Sequence, residues 1–133
     1  MATLCISNIG PIKEVQIELK RYNFFIGPQS SGKSTIAKII SHCLWMEKEI
    51  VVHPNRRDMQ YYEKIFISQM EDFHKMHGYF DNQSACLSYQ SDYITIDFQN
   101  QSCKIELGKK SKSYERAKIL YIPAERNVLV FTN

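Results

Sequence analysis

Nothing in this chain approaches the ~20 consecutive apolar residues that a membrane-spanning helix needs, and no basic, leader-like segment precedes an apolar stretch at its start. The expectation is a protein that is neither secreted nor transmembrane. Its four cysteines, Cys5, Cys43, Cys86 and Cys103, are widely spaced and form no C-x-x-C pair. That spacing argues against a disulfide framework and for a reducing, cytoplasmic compartment. A strong charge excess is missing too: 17 basic side chains against 14 acidic ones leave a net charge of +3, which by itself does not indicate nucleic-acid binding. Internal repeats, low-complexity tracts and interdomain linkers are also absent. What remains is about one domain's length, 133 residues with 44% hydrophobic and 12% aromatic content, enough for an ordinary core.

The opening reads as an antiparallel pair of strands with one wet face. Leu4 and Ile6 alternate with smaller or polar neighbours, Asn8-Ile9-Gly10-Pro11 supplies a turn, and Val15, Ile17 and Leu19 alternate with Glu14, Gln16, Glu18 and Lys20. Residues 22–26 are too apolar to keep a solvent face, which suits a strand buried inside a sheet. From Lys33 the spacing becomes helical, with Ile36, Ile39, Ile40, Cys43, Leu44 and Glu47 on and around one face. A polar break at residues 53–57 follows. Asp58 is placed to cap a second helix that carries Met59, Tyr62, Ile65, Phe66, Met70 and Phe73 and ends before Gly78. Strand-like text then returns weakly at residues 86–89 and clearly at 93–98 and 103–107, the last two joined as a hairpin through Gln99-Asn100-Gln101-Ser102. Residues 108–113 read as a solvated loop, and residues 119–122, halted by Pro123, as the last clear strand.

One motif carries chemistry. Gly27-Pro28-Gln29-Ser30-Ser31-Gly32-Lys33-Ser34 matches G-x-x-x-x-G-K-[ST] at every fixed position, and Thr35 follows. The glycines let backbone N–H groups converge on phosphate oxygens, and the following helix adds unpaired N–H groups and the positive end of its dipole. Lys33 is expected to reach the β- and γ-phosphates and the Ser34 hydroxyl to ligate Mg²⁺, so ATP with Mg²⁺ is the expected ligand. A strand before the loop and an amphipathic helix after it are the context that a phosphate-binding loop requires.

Three stretches together carry a family likeness: Ile6-Ser7-Asn8-Ile9-Gly10-Pro11-Ile12-Lys13, Phe25-Ile26 with the loop through Thr35, and Leu120-Tyr121-Ile122-Pro123-Ala124-Glu125-Arg126-Asn127. They resemble a bacterial AAA-family ATPase of the ABC-like type, related to the SMC, RecF and OLD-nuclease heads. The likeness covers both ends and is weak over about residues 48–110. It implies an α/β P-loop NTPase fold, specifically an ABC-ATPase-like first lobe with an antiparallel β layer beside the P-loop strand and helix. It also implies that Thr35 lies near the α-phosphate and that residues 8–13 border the base or ribose. The family's signature motif, Walker B Asp-Glu pair and later His are not seen after Ile122. Glu125 follows an apolar run, yet Pro123 and Ala124 intervene, so this segment is not read as Walker B. The chain is therefore expected to be an incomplete domain, the N-terminal portion of a longer ATPase. Turnover would then await the remaining portion or a head–head dimer, and the roles of relatives point towards DNA transactions or phage defence.

The other constellations have plainer readings. His74 and His77 are three apart on the second helix, but two histidines do not complete a zinc site, and surface positions near a helix end fit them better. Cys43, beside His42, falls on the apolar helix face and reads as a core thiol. Arg56-Arg57 and the lysines Lys109, Lys110 and Lys112 are short groups that read as solvated loops, with contact to DNA phosphates as the alternative. Glu125 and Arg126 are read equally as a solvated turn or as contacts to nucleotide or a neighbouring domain. Two other functions stand beside the ATPase lobe. One is a nucleotide-dependent interaction module that assembles with a partner without hydrolysing ATP; the other is a small-molecule kinase, disfavoured because only Arg56 and Arg57 are available for a lid.

Overall fold

The computed structural model describes residues 2–19, 23–25, 32–109, 118–122 and 128–132. Strands β1 (Ala2–Ile9) and β2 (Ile12–Leu19) form the opening hairpin, and β3 (Asn23–Phe25) precedes helix α1 (Lys33–Val52). Helix α2 (Met59–His74) follows, then β4 (Cys86–Gln90), β5 (Ile94–Gln99), β6 (Ser102–Leu107), β7 (Lys118–Ile122) and β8 (Val128–Thr132). The chain is thus α/β, with its strands in two antiparallel sheets, one ordered β2-β1-β4-β5-β6 and the other β3-β8-β7.

Register explains why the larger sheet has two unlike faces. Pairing aligns Ile17, Leu4, Tyr89, Ile96 and Ile105 in one row across all five strands, and Val15, Ile6, Leu87, Phe98 and Cys103 in the next. On the opposite face the same register aligns Gln16, Cys5, Ser88, Asp97 and Lys104, and beside them Glu18, Thr3, Gln90, Thr95 and Glu106. Period-two alternation therefore yields one apolar and one wet face. The apolar face is closed by the helices: α1 packs on α2 and touches β5 and β7, while α2 packs on β6. Squeezed from several sides, α1 buries Ala37, Ile39, Ile40, Cys43, Met46 and Ile50, and with them Thr35, His42 and Glu47.

Alternation breaks at one residue. Asn8 lies in the left-handed region with φ 56°, a conformation that asparagine tolerates better than other side chains. Beyond it Ile9 and Ile12, which an unbroken strand would turn to the wet face, are buried. The tip is clamped by the loop after α2: Gly10 N–H donates to the Tyr79 carbonyl at 3.2 Å, and Asn8 Nδ2 donates to the Ser84 carbonyl at 3.3 Å. A Cβ on Gly10 would meet the Tyr79 ring at 2.6 Å, so only glycine fits there.

The helix ends follow their sequence signals. Asp58 accepts from Tyr61 N–H at 2.8 Å and caps α2, whose other end closes on Lys75 in the left-handed region, its N–H donating to the Glu71 carbonyl. The β5–β6 turn places Asn100 and Gln101 at φ 51° and 61°, the double positive-φ pattern that matches the twist of a hairpin.

The strand read weakly at residues 86–89 is present as β4, third in the five-stranded sheet. Three expectations need correction. Residues 119–122 are not the last strand, because β8 follows and pairs with both β7 and β3. β8 takes the inner position, so β3 stands at the end of an antiparallel order among the described strands rather than inside a sheet. Phe73 falls at the rim of α2 and is 64% exposed, where it meets Trp45 edge to face.

Candidate functional site

Residues 27–31 of the phosphate-loop motif, Gly27, Pro28, Gln29, Ser30 and Ser31, lie outside the described residues. Gly32, Lys33, Ser34 and Thr35 lie within them and form the start of α1. Gly32 occupies the N-cap with φ 83° and ψ −4°, left-handed geometry that L side chains adopt only under strain. Its carbonyl accepts the first helical bond, from Ile36 N–H at 3.0 Å. A Cβ there would stand 3.6 Å from Ile12 Cγ1, ordinary van der Waals contact, so the backbone conformation and not crowding selects glycine.

The first turn of α1 itself carries no negative side chain, and its glycine N-cap offers no side chain to the first N–H groups. The helix runs 20 residues, so a full macrodipole ends at Lys33 and Ser34, both half-buried, with Thr35 buried beneath them. An end of this kind favours an anion. The β1–β2 tip stands beside it through Ile12 against Gly32, while Asn8 and Lys13 in the same tip are exposed.

Most of the remaining candidates among the described residues have partners of their own. His42, buried on α1, donates from Nε2 to the Phe66 carbonyl at 2.9 Å, which assigns the proton to Nε2. Burial, followed by the nearby His74, lowers its pKa to about 4. Burial likewise lowers His74, with Lys38 adding to the effect. His77 is exposed and faces Asp72 at 3.4 Å, so His74 and His77 have different neighbours. Among the described residues no group of three or more His, Cys, Asp or Glu is disposed to hold a metal. Burial pushes the Cys43 thiol well up, as expected for a core cysteine. Arg56 pairs with Glu49 at 2.6 Å and Arg57 lies over the Tyr61 ring at 4.9 Å. Lys109 is exposed, whereas Lys110, Lys112, Glu125 and Arg126 lie outside the described residues.

Sequence reading placed Glu47 near the apolar face of α1 without finding its partners. Its carboxylate accepts from the Tyr89 hydroxyl at 3.1 Å and from the Ser91 hydroxyl, and Ser91 Oγ in turn accepts from Tyr93 N–H and Ile94 N–H. An acid at helical spacing among apolar residues is the one signal that pointed to this network. No protein-family model matches the chain, and no curated protein or solved structure is significantly similar to it.

Proposed function

We infer that this chain binds the phosphates of ATP with Mg²⁺, as the first lobe of a P-loop ATPase of the ABC-like type. The observation that carries this reading is the coincidence of the G-x-x-x-x-G-K-[ST] motif with an acid-free, glycine-capped start of a 20-residue helix. The residues present fit a polyphosphate: α1 offers backbone N–H donors and a positive dipole end, Lys33 a cation, and Ser34 a hydroxyl. Bound Mg²⁺ would neutralise phosphate charge, with Ser34 as its protein ligand. Thr35, buried one position on, would lie near the α-phosphate in the ABC-like reading. The ABC-like reading adds the large antiparallel sheet as the β layer beside the nucleotide. It also assigns the water-positioning acid and signature motif to further chain or to a partner, so efficient hydrolysis depends on them.

Calorimetric titration with ATP and Mg²⁺, run beside Lys33→Ala with phosphate release measured on the same samples, tests the reading. Binding by the wild-type chain that weakens at least about tenfold in the variant, with negligible turnover, is expected. Equal binding by both proteins, or none by either, would overturn it. Rapid turnover by the wild-type chain would place the missing acid within these residues.

A further inference from the structure

The two edges of the five-stranded sheet are treated in opposite ways. On β6, α2 lies against the strand and Glu63 Oε2 accepts from Ile105 N–H at 2.8 Å, which occupies an outward-pointing backbone donor. β2, at the other end, has no strand or backbone hydrogen bond on its outer side among the described residues. It runs eight residues with no proline and no interruption of its pairing beyond the tip. Edge strands of that length are usually blunted by charged side chains, a bulge, a proline or a covering element; of these β2 has only charge, from the exposed Lys13 beside the tip and from Glu14 and Glu18, among the described residues.

The groups that β2 offers can be traced from the other edge. The two-residue turn makes Gln99 and Ser102 a hydrogen-bonded pair, so Thr95, Asp97 and Gln99 point their backbone groups at β6, which agrees with Ile105 N–H pointing out to Glu63. Ile96 and Phe98 therefore bond to Tyr89 and Leu87, and Ser88 and Cys86 bond to Cys5 and Ser7. Leu4 and Ile6 are then left to bond Ile17 and Val15. The outward N–H and C=O groups of β2 consequently belong to Glu14, Gln16 and Glu18, all three of which are exposed. Between them Val15 and Ile17 are only half-buried on the helix-side face, at positions where an added strand would bring its side chains closest.

Charge selects the occupant. The wet face near this edge carries Glu14 and Glu18, and its neighbours on β1 are the uncharged Thr3, Cys5 and Ser7. The Lys104 ammonium on that face stands four strands away, on β6. We propose that the β2 edge docks an extended segment of another protein, added as a sixth strand, in which basic residues alternate with apolar ones. Its cations would stand opposite Glu14 and Glu18, its apolar side chains opposite Val15 and Ile17, and its backbone would bond to the three outward positions. The same two carboxylates repel acidic segments, which gives the edge selectivity as well as attraction.

The test uses the full chain with a blocked peptide alternating lysine and valine over about seven residues, the length that spans β2, and a glutamate–valine counterpart. Amide exchange read residue by residue by NMR should slow at Glu14, Gln16 and Glu18 with the lysine peptide and stay unchanged at Ile105. The lysine peptide should bind about tenfold tighter than the glutamate one. Gln16→Pro removes an outward donor that β1 does not use and should abolish binding. Glu14→Lys with Glu18→Lys changes only exposed side chains and should invert the preference, which keeps the test decisive even where the proline variant fails to fold. Equal binding of the two peptides, protection elsewhere in the chain, or a β2-mediated dimer of the free protein in sedimentation would overturn the proposal.

Discussion

Single residues decide where this fold departs from simple alternation. Asn8 lets the hairpin tip rotate so that Ile9 and Ile12 enter the core and Ile12 reaches Gly32. Asn8→Val should cost about 1–2 kcal/mol in urea unfolding, the penalty for a branched side chain at positive φ, while Asn8→Gly should stay closer to wild type. The turn residues of this tip were legible in the sequence; the inversion was not, because apolar spacing carries no sign of φ. His42 is a second such residue. Its folded pKa of about 4 lies below the ordinary 6.5, so between these values the unfolded chain binds more protons than the folded one. Its neutral, buried state gives full stability above pH 6.5, and stability falls as pH drops towards 4, by on the order of 3 kcal/mol. His74 is shifted in the same direction and steepens the fall. Unfolding free energies measured from pH 7.5 to 4 should flatten in His42→Gln, which keeps a hydrogen-bond donor without a titrating proton.

At the scale of elements, the two helices and the strands with clean alternation were readable because each has one uniform apolar face. β4 was faint because its alternating partners Cys86 and Ser88 are small, so contrast between its faces is low; its depth in the sheet comes from pairing with β1, far away in sequence. β8 was missed because nothing in residues 128–132 alternates, and its place depends on partners on both sides. Phe73 was assigned to the core by helical spacing, yet it stands at the rim of the buried stripe, where its ring meets the exposed Trp45. The contact between α2 and β6 gives an element-level test. Glu63→Ala would leave the Ile105 N–H without its acceptor and remove a charge-assisted bond, at a cost of about 1–3 kcal/mol by chemical denaturation, whereas Glu63→Gln retains an acceptor and should lose less. Exchange of the Ile105 amide should accelerate in the alanine variant before global unfolding sets in.

For the whole molecule, the motif at residues 27–34 was the most legible feature, because it is a contiguous pattern that is read without tertiary context. The described residues place its last three positions, Gly32, Lys33 and Ser34, at the head of α1. The larger sheet is assembled from two locally connected pieces, β1–β2 and β4–β5–β6, that meet only where β1 pairs β4, with both helices in the intervening chain. Leu87 is buried between Ile6 and Phe98 at that seam. Leu87→Ala should destabilise by about 3 kcal/mol. If the seam forms in the transition state, stopped-flow refolding of this variant should be slowed by a large fraction of that change, and an effect confined to unfolding would place the seam later. The late arrival of β4 also bears on biosynthesis. When β1 and β2 have left the ribosome, the flank of β1 that awaits β4 presents the backbone of Thr3, Cys5 and Ser7 with no mate until residue 90 is made. The nascent chain therefore carries an open strand through the synthesis of both helices, the interval in which a holdase or a mispaired neighbour competes for it.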